Sequence, residues 1–97
     1  MITEVAILNV KPGLMNEFES QFRKASIILS AARGHRSHEL HKCVEEADKY
    51  ILLVQWDTLT DHRVGFRRSE AFEEWKNLLA PFFDSIPTAE HYVKIKL

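Results

Sequence analysis

The rhythm of apolar and polar positions changes several times along this chain, and each change predicts an element. TEVAILNV (Thr3–Val10) is apolar on both faces and is stopped by KPG (Lys11–Gly13), the pattern of a buried strand. Leu14, Phe18, Phe22, Ala25, Leu29 and Ala32 recur at spacings of three and four. They form one stripe of an amphipathic helix, with Gly34 just beyond its end. HRSHELHKCV (His35–Val44) is polar and alternating, whereas KYILLVQW (Lys49–Trp56) is almost continuously apolar. The acidic EEAD (Glu45–Asp48) between them suits a hairpin loop. Thr58 followed by Asp61 resembles a capping box, with Asp in place of Glu, and starts a short helix. Ser69 can cap a second one, with Glu70, Glu73 and Glu74 near its positive end. Phe72, Trp75 and Leu79 form its stripe, and Pro81 marks its approximate end. AEHYVKIK (Ala89–Lys96) alternates again and reads as a last strand.

The order is β-α-β-β-α-β with the second helical region broken in two. That is the ferredoxin-like pattern, an α+β fold on a four-stranded antiparallel sheet. Its first and third strands lie at the sheet centre, which agrees with their apolar faces, and its second and fourth lie at the edges. Two helices cover one face of such a sheet. The other face carries Val5 and Ile7 beside Ile51 and Leu53, a contiguous apolar patch that marks an interface. A homodimer joined through the sheet faces would cover it.

Size strengthens that expectation. A single domain of 97 residues buries only about 60–65% of its unfolded surface, so a second copy adds appreciably to its core. With 45% apolar and 28% charged residues the chain is of ordinary globular composition. A net charge of −1 provides no footprint for nucleic acid or an anionic membrane. Cys43 is the single cysteine, so no internal disulfide forms and a reducing compartment is the simplest context. The N-terminus lacks a secretion signal, and no apolar run approaches the ~20 residues of a membrane span. A cytoplasmic location is expected.

Several stretches together resemble the antibiotic biosynthesis monooxygenase family, within the dimeric α+β barrel group. They are VKPG after the first strand, VQW closing the third, DHRVGFRRSEAFEEWKNLLAPFF through the second helical region, and EHYVKI in the last strand. The resemblance covers nearly the whole chain and rests on joint order and spacing. It implies a sheet-to-sheet homodimer with a pocket in each subunit between sheet and helices. It also implies oxidation of a quinol or phenol by molecular oxygen with no metal or flavin. An electron-rich phenolate can reduce oxygen unaided, so the protein need only promote deprotonation, hold the anion and exclude water. A haem-degrading branch of this fold uses an asparagine, a tryptophan and a histidine. Trp56 matches the tryptophan, but Ala6 and Lys76 fall at the other two positions, and Asn9 points to the opposite strand face. Haem degradation is therefore not expected.

The segment WDTLTDHRVGFRRSEAFEEW (Trp56–Trp75) concentrates the candidate chemistry. His62 lies one helical turn from Phe66, so both can face one cleft, and a neutral imidazole there can accept a phenol proton. Alternatively, it bonds a backbone carbonyl and orders the helix. Trp56 shares a strand face with Leu52 and Val54, as a core residue or as pocket wall. The expected pocket places Trp56 and His62 as catalytic residues. Phe22, Phe66, Leu52 and Tyr92 are the expected substrate contacts, while Phe72 and Trp75 are assigned to core. Arg63, Arg67 and Arg68 include an i, i+4 pair that could hold an anionic substrate or carboxylate, but a solvated face paired with Glu70, Glu73 or Glu74 is favoured. His35, His38 and His41 do not suggest a metal site, because His38 should point away from the other two on a strand. Cys43 has no neighbouring base to activate it. Against the enzyme stands a non-catalytic dimeric module that binds a small ligand or a partner.

Overall fold

The two runs that are apolar on both faces lie side by side at the centre of a four-stranded antiparallel sheet. The computed structural model describes residues 1–97. Its elements are β1 (Ile2–Asn9), α1 (Met15–Ser30), β2 (His35–Lys42), β3 (Lys49–Trp56), α2 (Glu70–Leu79) and β4 (Thr88–Tyr92). A π-helical turn (Asp61–Phe66) precedes α2 and a 3₁₀ turn (Ala80–Phe82) succeeds it. The sheet order is β2-β3-β1-β4, the ferredoxin-like arrangement that the patterning predicts.

The register sorts every strand residue to one face. Ala6 pairs with Leu52 and Ala89, while Val5 pairs with Leu53 and Glu90. Leu8, Leu52, Val54 and Trp56 are therefore buried beneath the helices. Phe18, Phe22, Ala25 and Leu29 of α1 close over them, as the stripe at spacings of three and four requires. Phe18 is the hub, with the rings of Phe22, Tyr50, Phe82 and Phe83 between 4.9 and 6.3 Å away. Burying each such side chain contributes about 1.5–3 kcal/mol.

The helix starts are local chemistry. Ser69 caps α2 by accepting the Phe72 amide at 3.1 Å. Thr58 Oγ1 accepts the Asp61 amide at 3.1 Å and donates to the Asp61 carboxylate at 2.9 Å. The turn that begins at Asp61 is wider than the expected α-helix, since the Arg67 amide reaches the His62 carbonyl five residues back. Gly34 leaves α1 at φ +83°, where a Cβ would also run into the Asp61 side chain. The strand ends differ from expectation as well. β2 stops at Lys42 rather than Val44, and β4 runs from Thr88 to Tyr92 rather than on to Lys96, its last pair being Thr3 with Tyr92.

On the outer sheet face Val5, Ile51 and Leu53 are half-buried and Ile7 is 42% exposed. No helix of the structure is long and apolar enough to cross a membrane.

Candidate active site

Glu4 breaks the apolar pattern of β1. It alternates with Ala6 and Leu8, so its carboxylate is carried to the inward face of a central strand, where it is only 7% exposed. Oε1 accepts the indole N–H of Trp56 at 3.0 Å and lies 3.3 Å from His62 Nε2. Burial pushes the Glu4 carboxyl up from its ordinary 4.5, an effect moderated by the Trp56 hydrogen bond and by the charge of Arg67.

His62 completes the cluster from the π-helical turn. That turn buries only His62 and Phe66, one above the other. The imidazole stacks on Trp56 with centroids 5.2 Å apart, and its Nδ1 lies 2.7 Å from Nε2 of His91 on β4. Desolvation, then the charges of His91, Arg67 and Arg63, push its pKa down to about 4. At neutral pH the ring is uncharged, so its contact with Glu4 is a hydrogen bond and not an ion pair. With Glu4 ionised, one proton assignment satisfies the whole chain. His62 Nε2–H donates to Glu4, and His62 Nδ1 accepts from His91 Nε2–H.

This cluster forms one wall of a cavity of about 450 Å³ between β1, β4 and α2. Glu4, His62 and Ala6 lie on the sheet side, Phe72, Trp75 and Lys76 on the helix side, and Arg67 joins them. The Arg67 guanidinium lies over the Phe72 ring at 5.4 Å. The cavity thus offers a buried carboxylate, a neutral imidazole, apolar walls and two cations.

The expected pocket residues are only partly brought together. His62 lines the cavity, and Trp56 is fully buried behind it, tying Glu4 in place. Phe66 is core, packed beneath Phe72 and Trp75, and Leu52 is core at the sheet centre. Phe22 faces a different cleft, between α1 and β2. Tyr92 pairs with Thr3 on the outer face, half-exposed, and donates to Glu90, because strand alternation turns it away from the inward His91. Phe72 and Trp75, assigned to core, line the cavity instead. Phe72 and Trp75 thus pack against the core on one side and meet the cavity on the other, while Phe66 lies wholly within the core.

Two further expectations are corrected. Arg63, Arg67 and Arg68 are exposed, as expected of a solvated face, but no ion pair joins them to Glu70, Glu73 or Glu74, and Arg67 lies over Phe72 beside the cavity. His38 does not point away from His35. A bulge between His35 and Ser37 brings His35 Nε2 within 2.8 Å of His38 Nδ1, while His41 stays on the outer face beside Glu39. No group of three or more His, Cys, Asp or Glu side chains is arranged to hold a metal ion.

Glu4 and His91 are the site members that the patterning passed over. A charged residue inside TEVAILNV, at even spacing from Ala6 and Leu8, was the available signal for Glu4.

Comparison with known proteins gives concordant results. The family model described as antibiotic biosynthesis monooxygenase matches residues 1–78. YczJ, an uncharacterized protein of Bacillus subtilis (strain 168), is 50% identical over 92 residues, covering 95% of this chain and 97% of its own. A crystal structure from Bordetella bronchiseptica, assigned to the same family, superposes with a TM-score of 0.94 at 35% identity. It covers 98% of this chain and 97% of its own. SnoaB, a cofactor-independent oxygenase from Streptomyces nogalater, shares the fold, with a TM-score of 0.83 at 19% identity over 99% of this chain and 94% of its own.

Proposed function

Since the chain belongs to the antibiotic biosynthesis monooxygenase family, we propose that it is a cofactor-independent monooxygenase that oxidises a small aromatic or quinol with molecular oxygen. The observation that carries this reading is Glu4, a carboxylate buried at the cavity wall with its pKa raised toward the working range of a general base. Burying it costs stability, which a purely structural role does not require.

The residues divide the work. Glu4 takes the phenolic proton of the bound substrate, oriented by the Trp56 indole and by His62. His62 is the expected base, but its Nε2 is turned to Glu4 and its Nδ1 to His91, so it acts through the carboxylate. Arg67 and Lys76 hold the phenolate, and Phe72 and Trp75 cover its ring. The phenolate passes one electron to oxygen, and the two radicals combine at a ring carbon. The resulting peroxide anion takes up the proton held by Glu4, and loss of water, with the hydrogen of that ring carbon, leaves the new carbonyl of a quinone. A haem substrate is disfavoured because the wall carries Ala6 and Lys76 where the haem-degrading branch has asparagine and histidine.

The working unit of this reading is a homodimer joined through the outer sheet faces, at Val5, Ile7, Ile51 and Leu53. Their incomplete burial supports it, as do Val93, Ile95 and Leu97, which alternate past the end of β4 and remain exposed. An oxygen electrode with a panel of quinols and anthrones tests the activity. Glu4→Gln should lower oxygen consumption by about 10²-fold or more while preserving the fold. A variant with full turnover removes Glu4 from the mechanism, and a wild-type protein inert to the whole panel supports the ligand-binding alternative.

A further inference from the structure

We propose that Ser26, His38 and His35 form a second, nucleophilic site that takes acyl groups from small activated esters. It lies in an open cleft of about 520 Å³ between α1 and β2, which shares no lining residue with the Glu4–His62 cavity. Ser26 Oγ is 2.5 Å from His38 Nε2, and His38 Nδ1 is 2.8 Å from His35 Nε2. A hydroxyl, a base and a group that orients the base therefore stand in a row in hydrogen-bond contact, the geometry by which a serine nucleophile is recognised on unrelated folds.

The backbone is shaped to make this contact. On a regular strand His35 and His38 would face opposite ways, and the bulge at Arg36 turns both inward. Protonation is set by the surroundings. Desolvation lowers the pKa of both rings, so both are neutral near pH 7. With the His38 proton on Nδ1, that N–H donates to His35 Nε2 across the 2.8 Å contact. His38 Nε2 is then the free lone pair facing the serine.

The rest of the cleft defines what it would take. Phe22, Leu40 and Tyr50 supply apolar surface for a short or flat acyl group. Arg23 supplies positive charge for the oxygen that becomes negative when the carbonyl is attacked, while Lys42 on the same wall is paired at 4.0 Å with Glu19, which also accepts the Tyr50 O–H. Ser26 Oγ bonds to the carbonyl carbon and its proton passes to His38 Nε2. The ester's alkoxide or phenolate then leaves with that proton, and water, deprotonated by His38, later releases the acid and restores the serine.

A fluorophosphonate probe followed by peptide mass mapping, together with p-nitrophenyl acetate turnover, tests the proposal on the full chain. Ser26 is expected to be the labelled residue. Labelling should vanish in Ser26→Ala, persist in Ser30→Ala on the same helix, and slow about 10²-fold in His38→Gln. The labelling rate should rise with pH to a plateau whose inflection lies below 6.5, the titration of a desolvated imidazole. Absence of label at Ser26, equal labelling in His38→Gln, or a rate that climbs with hydroxide without a plateau would each overturn it.

Discussion

Replacing His62 by Gln tests whether this imidazole is held neutral by what surrounds it. The groups that face it are Glu4, His91, Arg63 and Arg67, with Trp56 stacked on its plane. The folded ring has its pKa pushed down to about 4 from 6.5. In the unfolded chain it takes up a proton near 6.5, whereas the folded protein refuses that proton until about pH 4. Stability is therefore full above 6.5 and is lost as the pH falls through the folded value. At 1.36 kcal/mol for each pH unit the gap sets a ceiling of about 3 kcal/mol, and solvent screening through the partly open cavity lowers this to about 2. Other groups titrate in the same window. His35, His38 and His91 are also depressed and act with the same sign. Glu4 is raised, so its contribution has the opposite sign and falls away as the pH rises above 4.5. The diagnostic quantity is thus the difference between wild type and variant. Urea unfolding followed by circular dichroism at about pH 7 and about pH 4.5 measures it. The loss on acidification should be smaller in His62→Gln by about 2 kcal/mol, a midpoint difference of about 1–2 M urea. Equal losses in the two proteins would refute the neutral hydrogen-bonded chain from Glu4 to His91.

Three shorter predictions accompany it. Ile7→Asp or Leu53→Asp should convert a dimer to monomers or aggregates by sedimentation, because either places an unpaired charge on the outer sheet face; a wild-type monomer at micromolar concentration would remove the dimer. Trp56→Phe removes the N–H that lowers the Glu4 pKa, so the acid limb of oxygen consumption against pH should move upward; an unmoved limb means that Glu4 does not titrate in the reaction. Gly34→Ala should cost about 1–3 kcal/mol in thermal or urea unfolding, from its positive φ and the approach of Asp61, and a neutral effect would contradict that backbone.

The fold was legible because its signals are local and repeated. The apolar faces of β1 and β3 place them centrally, and the α1 stripe falls on Phe18, Phe22, Ala25 and Leu29. Thr58 and Ser69 announce the broken second helical region by side chains that bond nearby amides. The site was legible only where it obeys the same rules. His62 and Phe66 share a face in either helix type, and Trp56 closes β3 inward. Nothing periodic indicates which aromatic residue meets a cavity. That depends on how α2 lies over β1 and β4, and it sends Trp75 to the wall and Phe66 to the core. The His35–His38 contact was hidden for a different reason: one extra residue in a strand reverses the facing of all that precede it.

The places where simple patterning fails share a physical feature. Glu4 puts a carboxylate in an apolar strand, the π-helical turn widens a helix to bury a histidine, and the β2 bulge breaks a ladder to join two imidazoles. Each is locally unfavourable, and a smoother choice was open at each position. A leucine at position 4 would extend the apolar face of β1, and an unbulged β2 would keep its full ladder. Trp56 links all three, accepting the stack of His62, meeting His35 edge-on at 6.0 Å and donating to Glu4. One fully buried indole thus touches titratable groups on both sides, Glu4 and His62 at one cavity and His35 behind the other. Substitution of Trp56 should therefore disturb both proposed sites at once, whereas substitutions at Ser26 and at Glu4 should act on one each.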